Sequence, residues 1–274
     1  SKELDINKFI DFKSLETGQR NVQKLSKKKE IDKNKNISKN TSDFFSKLSN
    51  NKNNFNFLFD VNQIFFRDIS FEKALIKIEK KKNIKASFQA KNFFNSKVSS
   101  SFLLTDKNIF FLDMKVKDFS LKDLNKHYGF EYISGNLNLS TNLKGSLVSG
   151  KKIYKNMKGD TFISSKEILI KNLNLKGFKR EVSRLDDLTK INQIKNTLFN
   201  GSTKIKNQNI TLRHDNEIIK IPLTKIKLEE DFFTTVGQYN FEKNQINLSS
   251  NFESKENKLL SLFNLETTGD ISKP

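Results

Sequence analysis

The sequence contains no cysteine among its 274 residues. The chain can therefore form no disulfide bond, and it offers neither a thiolate for a zinc site nor a thiol nucleophile. It also lacks any run of about 18 consecutive apolar residues, the length that a helix needs to cross a bilayer. The printed sequence thus predicts no transmembrane helix, and no signal peptide is visible at Ser1.

Negative charge is scarce relative to positive charge: 50 Lys and Arg stand against 31 Asp and Glu, a formal net charge of +19. Such a surplus is typical of nucleic-acid-binding proteins, and it also favours contact with an anionic membrane. A third interpretation is codon bias, because the abundant Lys, Asn, Ile and Phe are encoded by AT-rich codons. The lysines are spread along predicted strand faces, which favours codon bias and argues against a nucleic-acid partner.

No constellation of polar residues predicts catalysis or metal binding. The only histidines stand apart, His127 at the end of a predicted short helix and His214 beside Asp215 in a predicted turn. The acidic run at residues 229–231 lacks the spaced ligands of a calcium loop and is typical of a hairpin turn. Asp186 and Asp187 fall on the polar face of a predicted helix. The sequence therefore predicts a protein that is not an enzyme and has no cofactor and no metal.

Composition divides the chain into three segments. Residues 1–19 hold a short apolar piece that includes Leu4, Ile6 and Phe9, and we expect it to end an upstream β unit. Residues 20–54 are rich in Lys, Asn and Ser and bury too little apolar surface to offset the entropy of ordering. They are predicted to be a polar linker or long loop, with a basic interaction tail as the alternative. Residues 55–274 are predicted to form one β domain.

Apolar and polar residues alternate from Phe55 onward in short runs, the pattern of half-buried strands. Turn signals at residues 81–83 and 106–108 separate the runs, which indicates an antiparallel meander. Pro222 interrupts one run, so that strand is expected to be an edge or to be broken there. At residues 181–198 apolar residues recur every three or four positions, which predicts one long amphipathic helix.

The stretch from Val116 to Gly177 has the clearest order of elements. A helix capped by Ser120 is predicted at residues 120–128, and a strand follows from Ile133 to Leu143, with its apolar residues at odd positions. A second short helix is predicted at residues 149–157. Two further strands are expected at residues 161–163 and 168–175.

This order of parts resembles the C-terminal region of the AsmA family of bacterial envelope proteins. The matching pieces are the run from Ile133 to Leu139, Leu143-Lys144-Gly145, Met157-Lys158-Gly159, the run from Ile168 to Gly177, and a closing phrase from Thr267 to Pro274. The resemblance covers roughly residues 55–274. It consists of glycines and alternating apolar residues and includes no catalytic signature.

The resemblance implies a mainly β fold, an antiparallel, twisted and curved meander sheet that forms an open groove. AsmA-like proteins are similar to bridge-like lipid-transfer proteins, so the implied role is to hold or conduct phospholipid between the inner and outer membranes and to support outer-membrane assembly. The implied location is the periplasm. The sequence is then expected to be a fragment, tethered to the inner membrane by an N-terminal helix upstream of Ser1.

In this interpretation, apolar side chains on one face of the sheet line the acyl chains. The predicted lipid-lining residues are Phe102, Phe110, Ile133, Leu137, Leu139, Leu143, Ile246 and Leu248. The alternative is a closed β-sandwich, a structural or protein-interaction domain without a ligand, in which the same residues form a dry core. Both folds require the same alternation of residues, so the pattern alone leaves the two open.

Overall fold

The computed structural model describes residues 3–5, 53–66, 69–128, 132–147, 153–184, 191–228, 232–253 and 264–270. Within these ranges the chain forms thirteen strands. The strands are β1 Glu3–Asp5, β2 Phe55–Phe66, β3 Ile69–Lys80, β4 Ile84–Phe93, β5 Ser96–Leu104, β6 Ile109–Ser120, β7 Ile133–Ser146, β8 Met157–Lys171, β9 Ser202–Asp215, β10 Ile218–Lys227, β11 Phe232–Asn240, β12 Gln245–Glu253 and β13 Asn264–Asp270.

All strands belong to one open sheet, whose spatial order from β1 to β13 is the order of the chain. The twelve strands from β2 onward form an antiparallel meander, which confirms the predicted fold class. β1 instead pairs with β2 in parallel, with Glu3 opposite Gln63 and Asp5 opposite Phe65. Most of the predicted upstream unit at residues 1–19, and nearly all of the predicted linker at residues 20–54, lie outside the described residues.

The first helix, α1 (Leu121–Tyr128), confirms the helix predicted at residues 120–128. Its start is capped by Ser120, whose Oγ accepts a hydrogen bond from the backbone N–H of Asp123 at 3.2 Å. The Asp123 carboxylate also accepts a bond from Asn95 Nδ2 at 2.6 Å. The hydrogen bonds from Ser120 and Asn95 lower the pKa of Asp123.

The second short helix was predicted at residues 149–157, of which residues 149–152 lie outside the described ranges. In the described part, the structure has a 3-10 turn at Ile153–Asn156, and Met157 already belongs to β8. The two strands predicted at residues 161–163 and 168–175 are parts of this one strand, which ends at Lys171.

The single helix predicted at residues 181–198 is wrong, because two helices occupy this part of the chain. They are α2 (Leu175–Ser183) and α3 (Ile191–Phe199), and the residues between Arg184 and Ile191 lie outside the described ranges. α2 starts inside the region predicted as strand. Its end is marked by Arg184, whose backbone N–H donates to the carbonyl of Glu181 at 3.1 Å.

Asn174 explains why α2 begins where it does. Its side-chain Oδ1 accepts from the N–H of Gly177 at 2.7 Å, and its Nδ2 donates to the carbonyl of Asn200 at 3.0 Å. Its backbone N–H donates to the carbonyl of Leu198 at 2.6 Å. One residue thus caps the start of α2 and ties it to the end of α3.

Contacts group the chain into two compact units. The first comprises Ser1–Phe93, Lys97–Lys115 and Thr141–Gly159, and the second comprises Phe94–Ser96, Val116–Ser140 and Asp160–Pro274. Two apolar clusters are found among the described residues of the first unit. One contains Val61, Ile64, Ala74 and Ala90, and the other contains Ile84, Leu104, Phe110 and Leu147.

The second unit builds its core between the two helices and the last strands. Phe178 of α2 stacks on Phe252 of β12 with ring centroids 5.2 Å apart, and Phe233 meets Phe252 edge-on at the same distance. Leu175, Val182, Ile194 and Leu198 complete this cluster. α2 and α3 therefore cover one part of the apolar face of this unit.

β7 and β8 approach closely at two glycines that the sequence pattern had singled out. Gly159 has φ +147°, and a Cβ there would overlap the carbonyl oxygen of Asn142. Gly135 has φ +126°, and a Cβ would overlap the carbonyl oxygen of Glu167. Only glycine adopts these conformations without strain and leaves room for the neighbouring strand.

Candidate functional site

β7 presents the alternation that the sequence predicts. Leu137 and Leu139 are half-buried and Leu143 is buried. Asn136, which precedes Leu137, and Asn138, which lies between the first two leucines, are exposed. The strand therefore has one apolar and one polar face. Ile133 at its start is half-buried, and its carbonyl accepts a hydrogen bond from Asn125 Nδ2.

The last strands continue the pattern in register. Ile219 on β10 lies opposite Tyr239 on β11, and Tyr239 lies opposite Ile246 on β12. One step along, Leu248 lies opposite Gly237, where a Cβ would press on the Leu248 side chain. The polar residues between them, such as Asn247, are exposed on the other face. Ile246 and Leu248 thus lie in one apolar row of the second unit.

Two of the predicted lipid-lining residues meet in the first unit. The rings of Phe102 and Phe110 stack with centroids 6.1 Å apart. Phe110 is only 3% exposed and belongs to the core with Leu104, whereas Phe102 packs at the margin of that cluster. Phe110 and Leu143 are thus buried, and the other six predicted lining residues are half-buried.

The sequence interpretation placed His214 in a turn, and the structure corrects this. His214 lies within β9, is half-buried, and pairs with Thr161 of β8, with Nε2 and Oγ1 2.8 Å apart. Its Nδ1 is buried and has no partner among the described residues. Burial lowers the pKa of His214, while the Asp160 carboxylate acts in the opposite direction. The register puts His214 opposite Ile219, on the apolar face.

The other polar candidates form no reactive group in the described part of the chain. His127 lies in the last turn of α1, and its ring packs edge-on against that of Phe94, with centroids 5.4 Å apart. Asp186, Asp187 and the acidic run at residues 229–231 lie outside the described residues. Among those that are described, no group of three His, Asp or Glu side chains is arranged to hold a metal ion.

Two concave regions lie beside the sheet. In the first unit, a cavity of about 560 Å³ is lined by polar residues such as Lys85, Ser87 and Asp113 together with Phe111. In the second unit, a cavity of about 260 Å³ is lined by Lys204, Lys206, Asn207, Lys227 and Leu228. Phe102 is a predicted lipid-lining residue and lines the larger cavity. The other seven predicted lipid-lining residues line neither of these two cavities.

An apolar edge was not singled out from the sequence. On β2, Phe57, Leu58 and Phe59 are 50%, 66% and 41% exposed. The rings of Phe55, Phe57 and Phe59 follow one another with centroids 5.1 and 6.1 Å apart. Among the described residues, β1 pairs with this strand from Gln63 to Phe65. The sequence signal was present, since three phenylalanines alternate within five residues.

The chain matches no protein-family model, no curated protein and no solved structure. The resemblance to the AsmA family therefore remains a prediction from the residues quoted above. In the described part of the chain, no helix has the length and apolar character required to span a bilayer.

Proposed function

We propose that this protein is a non-enzymatic envelope protein that binds phospholipid acyl chains on the apolar face of its sheet. In this proposal it holds or conducts phospholipid between the inner and outer membranes, acts in the periplasm, and thereby supports outer-membrane assembly. The AsmA resemblance supplies the biological setting. The structure supplies an open sheet with one apolar face.

The observation that carries the proposal is the half-burial of apolar residues on this face. Leu137 and Leu139 on β7, and Ile246 and Leu248 on β12, belong to apolar rows but remain partly accessible. Residues of a closed sandwich core would be buried on both sheets. An open sheet with accessible apolar rows instead offers surface that a hydrocarbon chain can cover.

The energetics favour such an occupant. A hydrocarbon chain that leaves a bilayer for water loses ~0.8 kcal/mol of burial per methylene. A row of apolar side chains restores this contact along its length. Recognition of the acyl chain then needs few directed hydrogen bonds, which is consistent with a site made of Leu, Ile and Phe.

The test compares two charge substitutions on the opposite faces of β7. Leu139→Asp introduces a carboxylate into the apolar row, and Asn136→Asp introduces the same group on the exposed face. The protein and both variants are expressed and purified, their bound phospholipid is quantified by mass spectrometry, and their thermal unfolding is followed by circular dichroism. We expect Leu139→Asp to remain folded but to lose phospholipid, and Asn136→Asp to match the parent.

Two results contradict the proposal. If the parent carries no phospholipid and Leu139→Asp unfolds outright, Leu139 is part of a dry core, where an unpaired carboxylate costs several kcal/mol. If Leu139→Asp folds and carries the parent's phospholipid load, the acyl chains do not lie on this face.

Protein interaction through a sheet edge is the second candidate function, and the apolar edge of β2 favours it. β2 lies next to the terminal strand β1, and its exposed phenylalanines are suited to packing against a strand from another protein. Phe57→Lys tests it, with Lys115→Gln on β6, four strands from β2, as the control. Concentration-dependent association in analytical ultracentrifugation that Phe57→Lys abolishes and Lys115→Gln preserves supports this function, whereas a monomer at all concentrations argues against self-association.

A further inference from the structure

A small basic cavity lies in the second unit between β9 and the end of β10. Its volume is about 260 Å³, and its lining consists of Lys204, Lys206 and Asn207 from β9 and Lys227 and Leu228 from the end of β10. The lining therefore includes three lysines, which come from two strands.

An irregularity in β9 accounts for the position of the cavity. Asn207 has φ +48°, a left-handed conformation that interrupts the extended strand. The next residue, Gln208, is buried, and its Nε2 donates to the carbonyls of Asn209 and Lys225 at 3.0 Å each. The Gln208 side chain thus connects β9 to β10 beside the irregularity, and the space next to this connection is the cavity.

The lysines of this cavity lie on the polar face of the sheet. Lys204 and Lys206 are exposed, whereas Thr203 and Ile205, which alternate with them, are buried. Lys204 Nζ is 2.9 Å from a carboxylate oxygen of Glu167, so one of the three positive charges has a partner. None of the lining residues is a predicted lipid-lining residue, and Leu228 of the lining packs against the apolar cluster that contains Phe178 and Phe252.

Like charges on neighbouring strands destabilise a sheet, and a bound anion removes that repulsion. Ammonium groups are strong donors to phosphate oxygens, because both partners of the hydrogen bond are charged. The Asn207 side chain adds an amide that can donate to a further oxygen. The three lysines and one asparagine thus have the donors that a phosphate group accepts from.

We propose that this cavity binds a phosphate group. The group is either inorganic phosphate or the phosphate of a lipid headgroup, since the chemistry of recognition is the same. Lys206 and Lys227 provide the principal charge, and Lys204 contributes while it remains paired with Glu167. Binding of a phosphate group on the polar face does not depend on acyl chains lying on the apolar face.

The experiment measures binding of inorganic phosphate by isothermal titration calorimetry at constant ionic strength. It uses the full chain, the variant Lys206→Gln/Lys227→Gln, and the matched variant Lys91→Gln/Lys97→Gln, which removes the same charge from exposed positions of the first unit. We expect saturable binding by the parent and the matched variant. The cavity variant should bind at least about tenfold more weakly, the effect of one lost charge-assisted hydrogen bond.

A second arm identifies the source of the phosphate group. The same three proteins are floated with vesicles of phosphatidylcholine containing phosphatidylglycerol. Vesicle binding that the cavity variant alone loses assigns the site to a lipid headgroup, whereas cavity-dependent binding of inorganic phosphate without such vesicle binding assigns it to free phosphate. An equal loss in both variants, or no cavity-dependent binding in either arm, overturns the proposal.

Phospholipid carried by the parent, which Leu139→Asp removes, is measured separately, so the two proposals fail independently.

Discussion

Thr161 and His214 join neighbouring strands through their side chains, with Oγ1 of the threonine 2.8 Å from Nε2 of the histidine. The pair lies 53 residues apart in the chain. The second ring nitrogen, Nδ1, is buried without a partner among the described residues. A proton added to Nδ1 would create a positive charge where burial already disfavours one.

Acidification is expected to destabilise the protein through His214. The pKa of His214 in the folded protein is below its ordinary value of 6.5, so the unfolded chain binds the proton more readily. The stabilising effect is complete above pH 6.5 and is lost as the pH falls below that value. Urea unfolding at pH 7.5 and 5.5 should show a larger loss of stability in the parent than in His214→Gln. If acidification lowered the stability of the parent and of His214→Gln equally, His214 would not be the source of this pH dependence.

Gly159→Ala should destabilise the first unit, because the added Cβ both strains a positive φ and overlaps the carbonyl of Asn142. We expect a loss of roughly 2 kcal/mol or more in the free energy of unfolding. Gly269→Ala is the matched control, since Gly269 also has a positive φ (+153°) but no atom within 4 Å of the Cβ position. Chemical denaturation should therefore show a larger loss in the free energy of unfolding for Gly159→Ala than for Gly269→Ala. Similar losses would mean that β7 and β8 move apart at Gly159 without a measurable cost.

Phe178→Ala removes a buried ring from the core between α2 and β12. Phe178 is 3% exposed and stacks on Phe252, so the expected loss is ~3–5 kcal/mol. Phe199→Ala, at the end of α3, removes a ring of the same size that is 56% exposed. Thermal unfolding of the two variants side by side should show a marked decrease in melting temperature for Phe178→Ala only.

Ser120→Ala removes the hydroxyl that caps α1 and should cost about 1 kcal/mol of stability. It also removes the first cause of the lowered pKa of Asp123. An NMR titration of the Asp123 carboxyl should therefore show its pKa move upward toward the ordinary value. If the pKa of Asp123 stayed unchanged, the hydrogen bond from Asn95 at 2.6 Å would be sufficient to lower it without Ser120.

The sequence predicted the elements whose pattern is local. The alternation from Ile133 to Leu143 predicted β7 and its two faces, and Ser120 with Asp123 predicted the start of α1. Pro222 correctly indicated an irregularity, because the pairing of β10 with β11 shifts between Ile221 and Thr224. Each of these signals depends on residues that are neighbours in the chain.

The incorrect predictions concern features that depend on residues far apart in the chain. β8 was predicted as two short strands because polar residues at 164–167 separate its apolar ends, yet Ser165 is buried by its neighbours in the sheet. The start of α2 depends on Asn174 contacts with Leu198 and Asn200, which lie far along the chain. His214 was assigned to a turn because Asp215 and Asn216 follow it, while its partner is on β8. The sequence predicted which residues form the apolar rows of the candidate site. It could not predict how deeply each of them is buried, because burial depends on neighbouring strands that lie far along the chain.

The agreement between the strand order of the sheet and the order of the chain has a consequence for biosynthesis. Each strand from β3 onward pairs with the one made just before it, so the sheet can grow strand by strand as the chain emerges, and most of these pairings close a short loop at small entropic cost. β1 is different, because 49 residues separate Asp5 from Phe55, the first residue of its partner β2. This pairing can therefore form only after a much longer segment of the chain has been made.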